Sequence, residues 1–391
     1  MNVLVISQLY PSPEDKSTGP FVHYQARALA DRGHNVRVVS PCPWAPPLPW
    51  LPNKWAKYRS IPKSYAINGI EVTTPRYLSP PGLRTLAISS CSARWTLSKT
   101  QILQEFTPDI IHAHVALPNG YAATALADRW DIPLITTIHG ADFYQSVDSP
   151  GCQPQIQTVL DSSSVVTVNS TTLRDVGMAY FEYNPVVVPN GVPLDEIEEA
   201  RALDVTIPNT ESSRVIISVG NLIERKQQET VIRALSVLDR DDIHYLVVGS
   251  GPKRDDLEQL ASDLDISDQV SFLGYVDSHQ RVYAYLWNAD AFVLPSRDEA
   301  FGVAFIEAMA CELPVVARVS EGPEDFVRDG ETGYFIGEDE GETELAELLA
   351  DLVDDPDEMA AVGKRAREVV KQDYTWEANA DQIESIYRDV T

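Results

Sequence analysis

The chain alternates short apolar runs with longer stretches in which apolar residues recur at helical spacing. The run NVLVIS at 2–7 predicts a buried strand, and 21–34 predicts a helix that Gly33 closes before another strand at 35–40. Further strands are predicted at 109–114, 133–139, 164–169 and 185–189. Strands that alternate with helices in this way are typical of a parallel α/β sheet.

The same alternation restarts in the second half of the chain. Strands are predicted at 214–220, 244–251, 269–274, 291–296 and 314–319. Between the two series, the segment VPNGVPLDE at 188–196 contains Pro, Asn and Gly, which break regular structure. We therefore predict two doubly wound, Rossmann-like domains, with the boundary at 189/190. Parallel sheets bind ligands at the carboxyl ends of their strands, so the expected active site is a cleft between the two domains.

Charge is spread unevenly over the 391 residues. The net charge is −27, and lysine is scarce beside arginine. Residues 1–190 hold 14 Lys and Arg against 13 Asp and Glu, whereas 191–391 hold 17 against 45. An acidic second half argues against a nucleic-acid partner, because phosphate backbones bind basic grooves. Abundant carboxylates with little lysine also suggest a halophilic protein, kept soluble in high salt, as a hypothesis.

The cysteines and the hydropathy profile favour a cytoplasmic protein. Cys42, Cys91, Cys152 and Cys311 form no C-x-x-C pair, so neither a zinc site nor a disulfide framework is predicted. The first residues lack the basic start of a signal peptide, and no apolar run reaches about 20 residues, the length that spans a membrane.

Two glutamates stand eight positions apart in the second half. Glu299 follows a predicted strand, Gly302 is predicted to begin the next helix, and Glu307 would lie about one and a half turns into it. Backbone N–H groups at Phe301, Gly302 and Val303 would form an anion site at the helix start. Carboxylates would repel a phosphate but accept hydrogen bonds from hydroxyls. A nucleotide-sugar has both kinds of group.

The segment DEAFGVAFIEAMACELPVVA at 298–317 resembles the E-x7-E signature of retaining glycosyltransferases of family 4, also called glycosyl transferases group 1. Other family motifs are matched in order: the glycine loop and first helix from Gly19, TIHGADF at 137–143, the N-G-V linker, and VGNLIERK at 219–226. The resemblance implies the GT-B fold, with two Rossmann-like domains, 1–189 and 190–373, facing an interdomain cleft. It also implies that a terminal helix at 374–391 crosses back onto the first domain.

For the donor, the resemblance implies a role for each matching residue. Glu307 would hold the ribose hydroxyls, Glu299 the transferred sugar and Lys226 the diphosphate. Gly19 would let the backbone approach the donor phosphate. The family usually has an arginine directly after the glycine at Gly220, where this chain has Asn221, and Arg225 is the candidate to supply that charge.

On the opposite domain, the resemblance implies that His139 meets the sugar and that Asp142 lies at the acceptor side. Taken alone, His139 reads as a strand-end histidine, and at least one of His112 and His114 reads as core. Glu312 replaces the glycine that commonly ends the family's helix, which puts the local turn in question.

No metal and no cofactor beyond the donor is expected. A metal would need a carboxylate cluster such as D-x-D at a strand end, and candidates such as Asp239/Asp241 lie in acidic surface contexts. Lys226, Arg225 and the helix start could neutralise the departing nucleoside diphosphate instead. The family retains anomeric configuration, with the leaving phosphate helping to deprotonate the acceptor, so no protein general base is assigned. The donor is expected to be UDP- or GDP-linked.

The acceptor side is suggested by composition alone. No acid occurs between Asp31 and Glu71, while 44–63 carries three tryptophans and four basic residues: Trp44, Trp50, Trp55, Lys54, Lys57, Arg59 and Lys63. Such a segment is typical of a peripheral membrane contact, which would suit a lipid-linked acceptor at the inner face. A proline-rich loop over the first domain's cleft is equally consistent.

The leading interpretation is a glycosyltransferase for surface polysaccharide or glycoprotein glycan synthesis. A nucleotide-sugar 2-epimerase of the same fold and a non-catalytic glycan-binding scaffold remain open alternatives.

Overall fold

The computed structural model describes residues 1–46, 53–80, 86–99, 106–208, 214–338 and 341–391, with the backbone alone for 53–56. Within these residues the chain divides into two compact units. Unit 1 comprises Met1–Pro189 and Trp376–Thr391, and unit 2 comprises Asn190–Thr375. Each unit is built on a mainly parallel sheet, so the predicted pair of α/β domains is confirmed.

Unit 1 contains a large sheet, a separate two-stranded ribbon and flanking helices. Its strands are β1 Asn2–Ile6, β2 Asn35–Val39, β3 Cys42–Pro43, β4 Ser64–Ile67, β5 Ile70–Thr73, β6 Arg76–Tyr77, β7 Ile110–His114, β8 Leu134–Ile138, β9 Val165–Val168 and β10 Val186–Val187. Its helices are α1 Pro20–Asp31, α2 Asn53–Ser60, α3 Leu86–Lys99, α4 Tyr121–Trp130, α5 Cys152–Ser162, α6 Thr171–Met178 and the terminal α14 Trp376–Val390.

The large sheet has the order β10-β9-β8-β7-β1-β2-β5-β4, while β3 and β6 pair separately. Every described pair is parallel except β4 with β5. That hairpin was not predicted, although its Asn68-Gly69 turn is a strong sequence signal, since both residues have positive φ. The chain reverses its direction of travel at β1, which has β2 on one side and β7 on the other.

Unit 2 is a six-stranded parallel sheet with the order β13-β12-β11-β14-β15-β16. Its strands are β11 Arg214–Val219, β12 Ile243–Val248, β13 Val270–Gly274, β14 Ala291–Val293, β15 Val315–Arg318 and β16 Gly333–Ile336. Its helices are α7 Leu194–Ala200, α8 Gln228–Leu238, α9 Arg254–Asp263, α10 His279–Trp287, α11 Val303–Ala310, α12 Glu342–Asp354 and α13 Pro356–Asp373. The reversal here falls between β11 and β14, and such a switch point is where doubly wound sheets bind ligands.

The central strands are apolar on both faces because helices cover both sides of each sheet. In β1, Val3 and Val5 enter one core cluster of unit 1 while Leu4 and Ile6 enter the other. The terminal helix α14 buries Trp376, Ala380, Ile383 and Tyr387 against the first of these clusters, at the spacing of one helical face. It therefore completes the core of unit 1, and it begins at Trp376 rather than at the predicted 374.

All four cysteines lie within the described residues as free thiols. No helix in the described part of the chain is both long and apolar enough to cross a membrane. Of the predicted membrane-contact segment 44–63, residues 47–52 and the side chains of 53–56, with Trp50 and Trp55 among them, lie outside the described residues.

The turn after α11 keeps its usual geometry despite the missing glycine. Glu312 adopts φ 62°, its N–H donates to the Met309 carbonyl, and the Leu313 N–H donates to the Ala308 carbonyl. These two bonds form a Schellman motif, which normally uses glycine at the left-handed position. The Glu312 carbonyl packs so closely on Gly363 of α13 that a Cβ there would overlap it. Packing therefore holds Glu312 in a strained conformation.

We expect Glu312→Gly to raise the free energy of unfolding by about 0.5–1 kcal/mol. It relieves a left-handed conformation that costs a non-glycine residue about 1–2 kcal/mol, less the extra entropy of glycine in the unfolded chain. Urea denaturation in high salt measures the change. Glu312→Ala is the matched control, since it removes the carboxylate but keeps the Cβ, and an equal gain from this variant would contradict the strain argument.

Candidate active site

The loop after β11 carries the two predicted phosphate-binding cations. It closes in a single 3-10 turn, Glu224–Lys226, at the carboxyl end of the strand. The backbone after β12 packs directly on this loop, and a Cβ at Gly249 would overlap the Gly220 carbonyl oxygen. The glycine at 249 is therefore required to hold the loop in place. Asn221 is exposed, and its carbonyl accepts a hydrogen bond from Gln228 at 3.2 Å.

The loop after β14 brings Glu299 onto these cations. The Lys226 ammonium donates to Glu299 Oε2, and the Arg225 guanidinium lies 3.9 Å from the same oxygen. Ser296 Oγ donates to it at 3.2 Å. Glu299 is buried, and the Lys226 side chain is only 12% exposed, so this pair is largely removed from water. A desolvated ion pair is electrostatically stronger than an exposed one.

Both loops are clamped by contacts that the sequence analysis missed. Glu321 accepts hydrogen bonds from the backbone N–H groups of Asp298 and Glu299, at 2.9 and 2.6 Å. The Arg297 N–H donates to the Arg225 carbonyl at 2.7 Å, which joins the two loops directly. Glu321 therefore positions the backbone that carries Glu299. In the sequence, no matched motif includes Glu321, which directly precedes the segment GPEDF at 322–326.

Helix α11 begins beside this cluster, as predicted. Gly302 precedes its first residue with φ 89°, and a Cβ there would lie 2.7 Å from the Phe305 ring. The Phe301 ring is buried against Phe326 at 5.3 Å, so Phe301 can reach a ligand only through its backbone. The first N–H groups of the helix, from Val303, have no intrahelical acceptor and carry the positive end of the helix dipole.

Glu307 lies farther along α11, where protein encloses its carboxylate although the side chain keeps some exposed surface. Burial raises its pKa to about 7, and a hydrogen bond that it accepts from the Tyr283 hydroxyl at 3.1 Å opposes this shift. With a pKa of about 7, the Glu307 carboxyl is partly uncharged at neutral pH. It can therefore accept hydrogen bonds from hydroxyls without a cation beside it.

In unit 1, a column of histidines leads to His139 at the end of β8. His112 and His114 lie on the same face of β7 with ring centroids 4.5 Å apart, and His114 stacks on His139 at 5.3 Å. His114 Nδ1 hydrogen-bonds His139 Nε2 at 3.0 Å. Burial lowers the pKa of His139 to about 3 and keeps the ring neutral. Both β7 histidines are buried, which bears out the expectation that at least one belongs to the core.

Several buried polar atoms in this region remain without a partner among the described residues, and they include His114 Nε2 and Asn119 Oδ1. His139 Nδ1 and Asp142 Oδ2 are buried and make no hydrogen bond to any described residue. Asp142 Oδ1 accepts from the Leu117 N–H at 3.2 Å, while burial raises the carboxyl pKa to about 6. Buried polar atoms of this kind normally have a partner, so they mark a place for a polar ligand.

Gly19 precedes α1 with φ 61°, and a Cβ there would lie 2.8 Å from the Leu9 side chain and overlap its carbonyl. The chain's own packing is therefore enough to require glycine at this position. Beside the loop that ends at Gly19 lies a cavity of about 220 Å³ at the carboxyl ends of β1 and β2. The residues that line it include Lys57 and Asp15, which form an ion pair, and six that carry a hydroxyl: Ser12, Thr18, Ser40, Tyr58, Tyr65 and Thr74.

The cavity was not predicted, although its walls include Pro41, Pro43 and Lys57 from the acid-free stretch. Unit 2 thus gathers Arg225, Lys226 and Glu299 in contact, with Gly302, Val303 and Glu307 on the adjoining helix. Unit 1 holds Gly19 beside the cavity, and His139 and Asp142 each have an unpartnered atom.

Comparison with known proteins identifies the class to which this fold and site belong. The model of Glycosyltransferase Family 4 matches residues 19–196, and that of Glycosyl transferases group 1 matches 202–369.

The chain is 30% identical to TuaC of Bacillus subtilis, named as a teichuronic acid biosynthesis glycosyltransferase, over 81% of this chain and 80% of that protein. It is 28% identical to N-acetyl-alpha-D-glucosaminyl L-malate synthase of Bacillus anthracis, over 93% and 91%. Sucrose-phosphate synthase of Thermosynechococcus elongatus has a similar structure, with a TM-score of 0.81 at 21% identity, over 100% of this chain and 99% of that one.

The fold is therefore GT-B, that of glycosyltransferases built from two parallel-sheet α/β units. The chain belongs to glycosyltransferase family 4, whose enzymes transfer a glycosyl group from a nucleotide-sugar.

We expect Glu307→Gln to stabilise the protein above pH 7 and to change little near pH 5. The folded-state pKa of about 7 exceeds the ordinary 4.5, so the folded protein binds more protons between these values, and its stability falls as pH rises through them. The wild-type carboxyl thus costs up to about 3 kcal/mol once ionised. Thermal unfolding from pH 5 to pH 8 measures this, with exposed Glu347→Gln as control. If the difference in unfolding temperature between wild type and Glu307→Gln does not widen as pH rises, the raised pKa of Glu307 is contradicted.

Proposed function

We propose that the protein is a metal-independent, retaining hexosyltransferase. It would move a sugar from a UDP- or GDP-linked donor to a glycan or lipid-linked acceptor in surface polysaccharide or glycoprotein glycan synthesis. The observation that carries this proposal is the contact of Lys226 with Glu299 at the switch point of unit 2, beside the start of α11. The contact joins a cation suited to phosphate with a carboxylate suited to sugar hydroxyls.

The proposed donor site separates two kinds of recognition. Lys226, Arg225 and the N–H groups at Gly302 and Val303 supply positive potential for the diphosphate. Charge that develops on a departing nucleoside diphosphate is stabilised most by groups fixed in advance, and the Lys226–Glu299 contact fixes this lysine. Arg225, rather than exposed Asn221, takes the place of the family's arginine in this proposal.

The carboxylates would hold the hydroxyls of the donor. Glu299 accepts hydrogen bonds from the transferred sugar, and Glu307 accepts them from the ribose. The backbone N–H groups of Asp298 and Glu299 donate hydrogen bonds to the Glu321 carboxylate, and these bonds keep the Glu299 loop fixed while the ligand enters. Preorganised acceptors of this kind lower the entropic cost of binding in the reactive geometry.

No side chain is assigned as general base. A histidine with a pKa of about 3 is a weak base near neutral pH, so His139 is proposed to hydrogen-bond the sugar rather than to remove a proton. His139 Nε2 is already bonded to His114, which leaves Nδ1 for the substrate. In this mechanism, the glycosidic bond to the diphosphate breaks, and the new bond forms on the same face of the sugar. The acceptor proton passes to the leaving phosphate oxygen.

The acceptor is proposed to present an uncharged, hydroxylated ring to the cavity beside Gly19. The walls of the cavity carry many hydroxyls, and its lysine is already neutralised by Asp15. Its 220 Å³ is below the roughly 300–1,000 Å³ of ordinary ligand pockets, which suits one ring better than an oligosaccharide. Asp142, with its unpartnered oxygen, remains the proposed acceptor-side carboxyl.

A panel of UDP- and GDP-sugars incubated with the purified protein at high KCl tests the proposal. Without an acceptor, slow release of nucleoside diphosphate and free sugar is the expected result. With an acceptor glycan added, NMR of the product is expected to show retained configuration at the transferred sugar. Isomerisation at the sugar C2 would instead identify an epimerase, and the absence of any donor-induced thermal shift would identify a non-catalytic scaffold.

We expect Lys226→Ala to lower kcat/KM for the donor by about 10²–10³-fold, the loss typical of removing one preorganised group from a developing negative charge. Steady-state release of nucleoside diphosphate measures it. Lys253→Ala is the matched control in the same unit, because Lys253 pairs with Glu224 at the surface. Equal losses in the two variants would contradict a donor role for Lys226.

We expect His114→Ala to lower kcat by about 3–10-fold with little change in KM, since it removes one hydrogen bond that orients His139. His114→Asn, which keeps a polar group near the Nδ1 position, should restore most of kcat. His112→Asn is the control, because His112 bonds Tyr387 and Thr137 and should affect stability more than kcat. A kcat loss that Asn does not rescue would show that His114 only fills the core.

A further inference from the structure

Unit 1 exposes four large apolar side chains that come from the ends of the ribbon strands β3 and β6 and from helix α3. Trp44 is 50% exposed, Leu78 61%, Ile88 62% and Trp95 66%. Among the described residues, the most exposed large hydrophobic side chains are Leu78, Ile88 and Trp95 in unit 1 and Tyr275 in unit 2. Scattered apolar residues are ordinary on a surface, but a contiguous set marks an interaction site.

The four side chains are connected through the ribbon β3/β6 and helix α3. The Trp44 N–H donates to the Tyr77 carbonyl at 2.7 Å, which places Trp44 beside Leu78. The Leu78 N–H donates to Ser92 Oγ on α3 at 2.8 Å. Ile88 and Trp95 lie four residues before and three residues after Ser92, on the same helical face. We call Trp44, Leu78, Ile88 and Trp95 the apolar patch.

The patch does not contribute to the core of unit 1. Helix α3 already buries Ala93 and Leu97 on its inner face. Its outer face carries Ile88 and Trp95 where a solvated helix would carry polar residues. The helix thus carries apolar residues on two sides, and on the outer side Ile88 and Trp95 are more than half exposed.

The charges around the patch have the opposite sign to those of the whole protein. Residues 32–104 contain ten Lys and Arg and a single acid, Glu71, in a chain of net charge −27. That acid pairs with Arg37 at 3.3 Å, and acids from outside the stretch pair with three more of its bases: Arg32, Lys57 and Arg94. Three exposed bases form no ion pair within the described residues: Lys99 on α3, and Arg59 and Lys63 in the chain between the two ribbon strands.

We propose that the apolar patch docks unit 1 onto an anionic lipid bilayer. Tryptophans and aliphatic side chains would enter the interface between headgroups and acyl chains, and the surrounding bases would meet the anionic headgroups. A two-fold contact with a second copy of the chain is a poorer match, because it would set the same basic side chains against each other.

The position of the patch bears on the acceptor. Trp44 directly follows Pro43, which lines the 220 Å³ cavity, and Lys57 lies in the same cavity wall. A docked unit 1 would hold the cavity near the headgroups, so that a lipid-linked acceptor could reach it without leaving the bilayer. This consequence rests on the proposed function, whereas the docking itself does not.

Vesicle flotation of the full chain tests the docking, with vesicles of phosphatidylglycerol or phosphatidylcholine. Wild type is expected to float with phosphatidylglycerol, and to do so in about 1 M KCl, where the Debye length falls to about 3 Å and apolar insertion must hold the contact. The double variant Ile88→Ser/Trp95→Ser should bind at least tenfold more weakly. Tyr275→Ser, which removes an aromatic side chain 64% exposed in unit 2, should bind like wild type.

Several results would overturn the docking. Wild type that stays unbound, a double variant that floats like wild type, or equal binding to phosphatidylcholine and phosphatidylglycerol in low salt, where charge is not screened, would each do so. If light scattering shows a dimer for wild type and a monomer for the double variant, and wild type does not bind vesicles, the partner is a second copy of the chain. Thermal unfolding and donor hydrolysis by the double variant should match wild type. If donor hydrolysis is absent in every variant while flotation persists, the proposed function fails and the docking stands.

Discussion

The contact between Lys226 and Glu299 is the interaction on which the candidate site in unit 2 depends. Each residue sits on a loop at the carboxyl end of a strand, and the two strands, β11 and β14, are neighbours where the sheet reverses its winding. Removing Glu299 would leave the largely buried Lys226, with Arg225 beside it, without the carboxylate that both face, which is costly. The same desolvation prepares the cluster to act strongly on a charged ligand.

The remaining site residues depend on the same geometry in different ways. Glu321 secures the loop of Glu299 through backbone donors, and Gly302 allows α11 to begin beside it. In unit 1, the analogous reversal at β1 brings the Gly19 loop and the β7 histidines to the same edge of the sheet. Lys226 and Glu299 in unit 2 and His139 in unit 1 thus follow strand ends, whereas Glu307 lies within helix α11 and His114 is the last residue of β7.

The strands and the order of the motifs were predictable because parallel strands read as apolar runs and the family motifs are local in sequence. The start of α11 at Val303 followed from Gly302 in the same way. The partners Glu321 and His114 were not predictable as such, since they act through contacts between segments far apart in the chain. The exposure of Ile88 and Trp95 in the apolar patch was not predictable for a related reason, because in sequence they are indistinguishable from core residues of the same helix such as Leu97. The Asn68-Gly69 hairpin, in contrast, carried a local signal that went unused.

The terminal helix α14 has a consequence for how the chain is made. Unit 2 is continuous from Asn190 to Thr375, so all of its segments are available once that stretch has left the ribosome. The first domain to be synthesised must instead wait, with one face of its core uncovered, until Trp376 and Tyr387 have been synthesised after the whole of unit 2. The order of synthesis and the order of completed folding are thus reversed for the two halves of this enzyme.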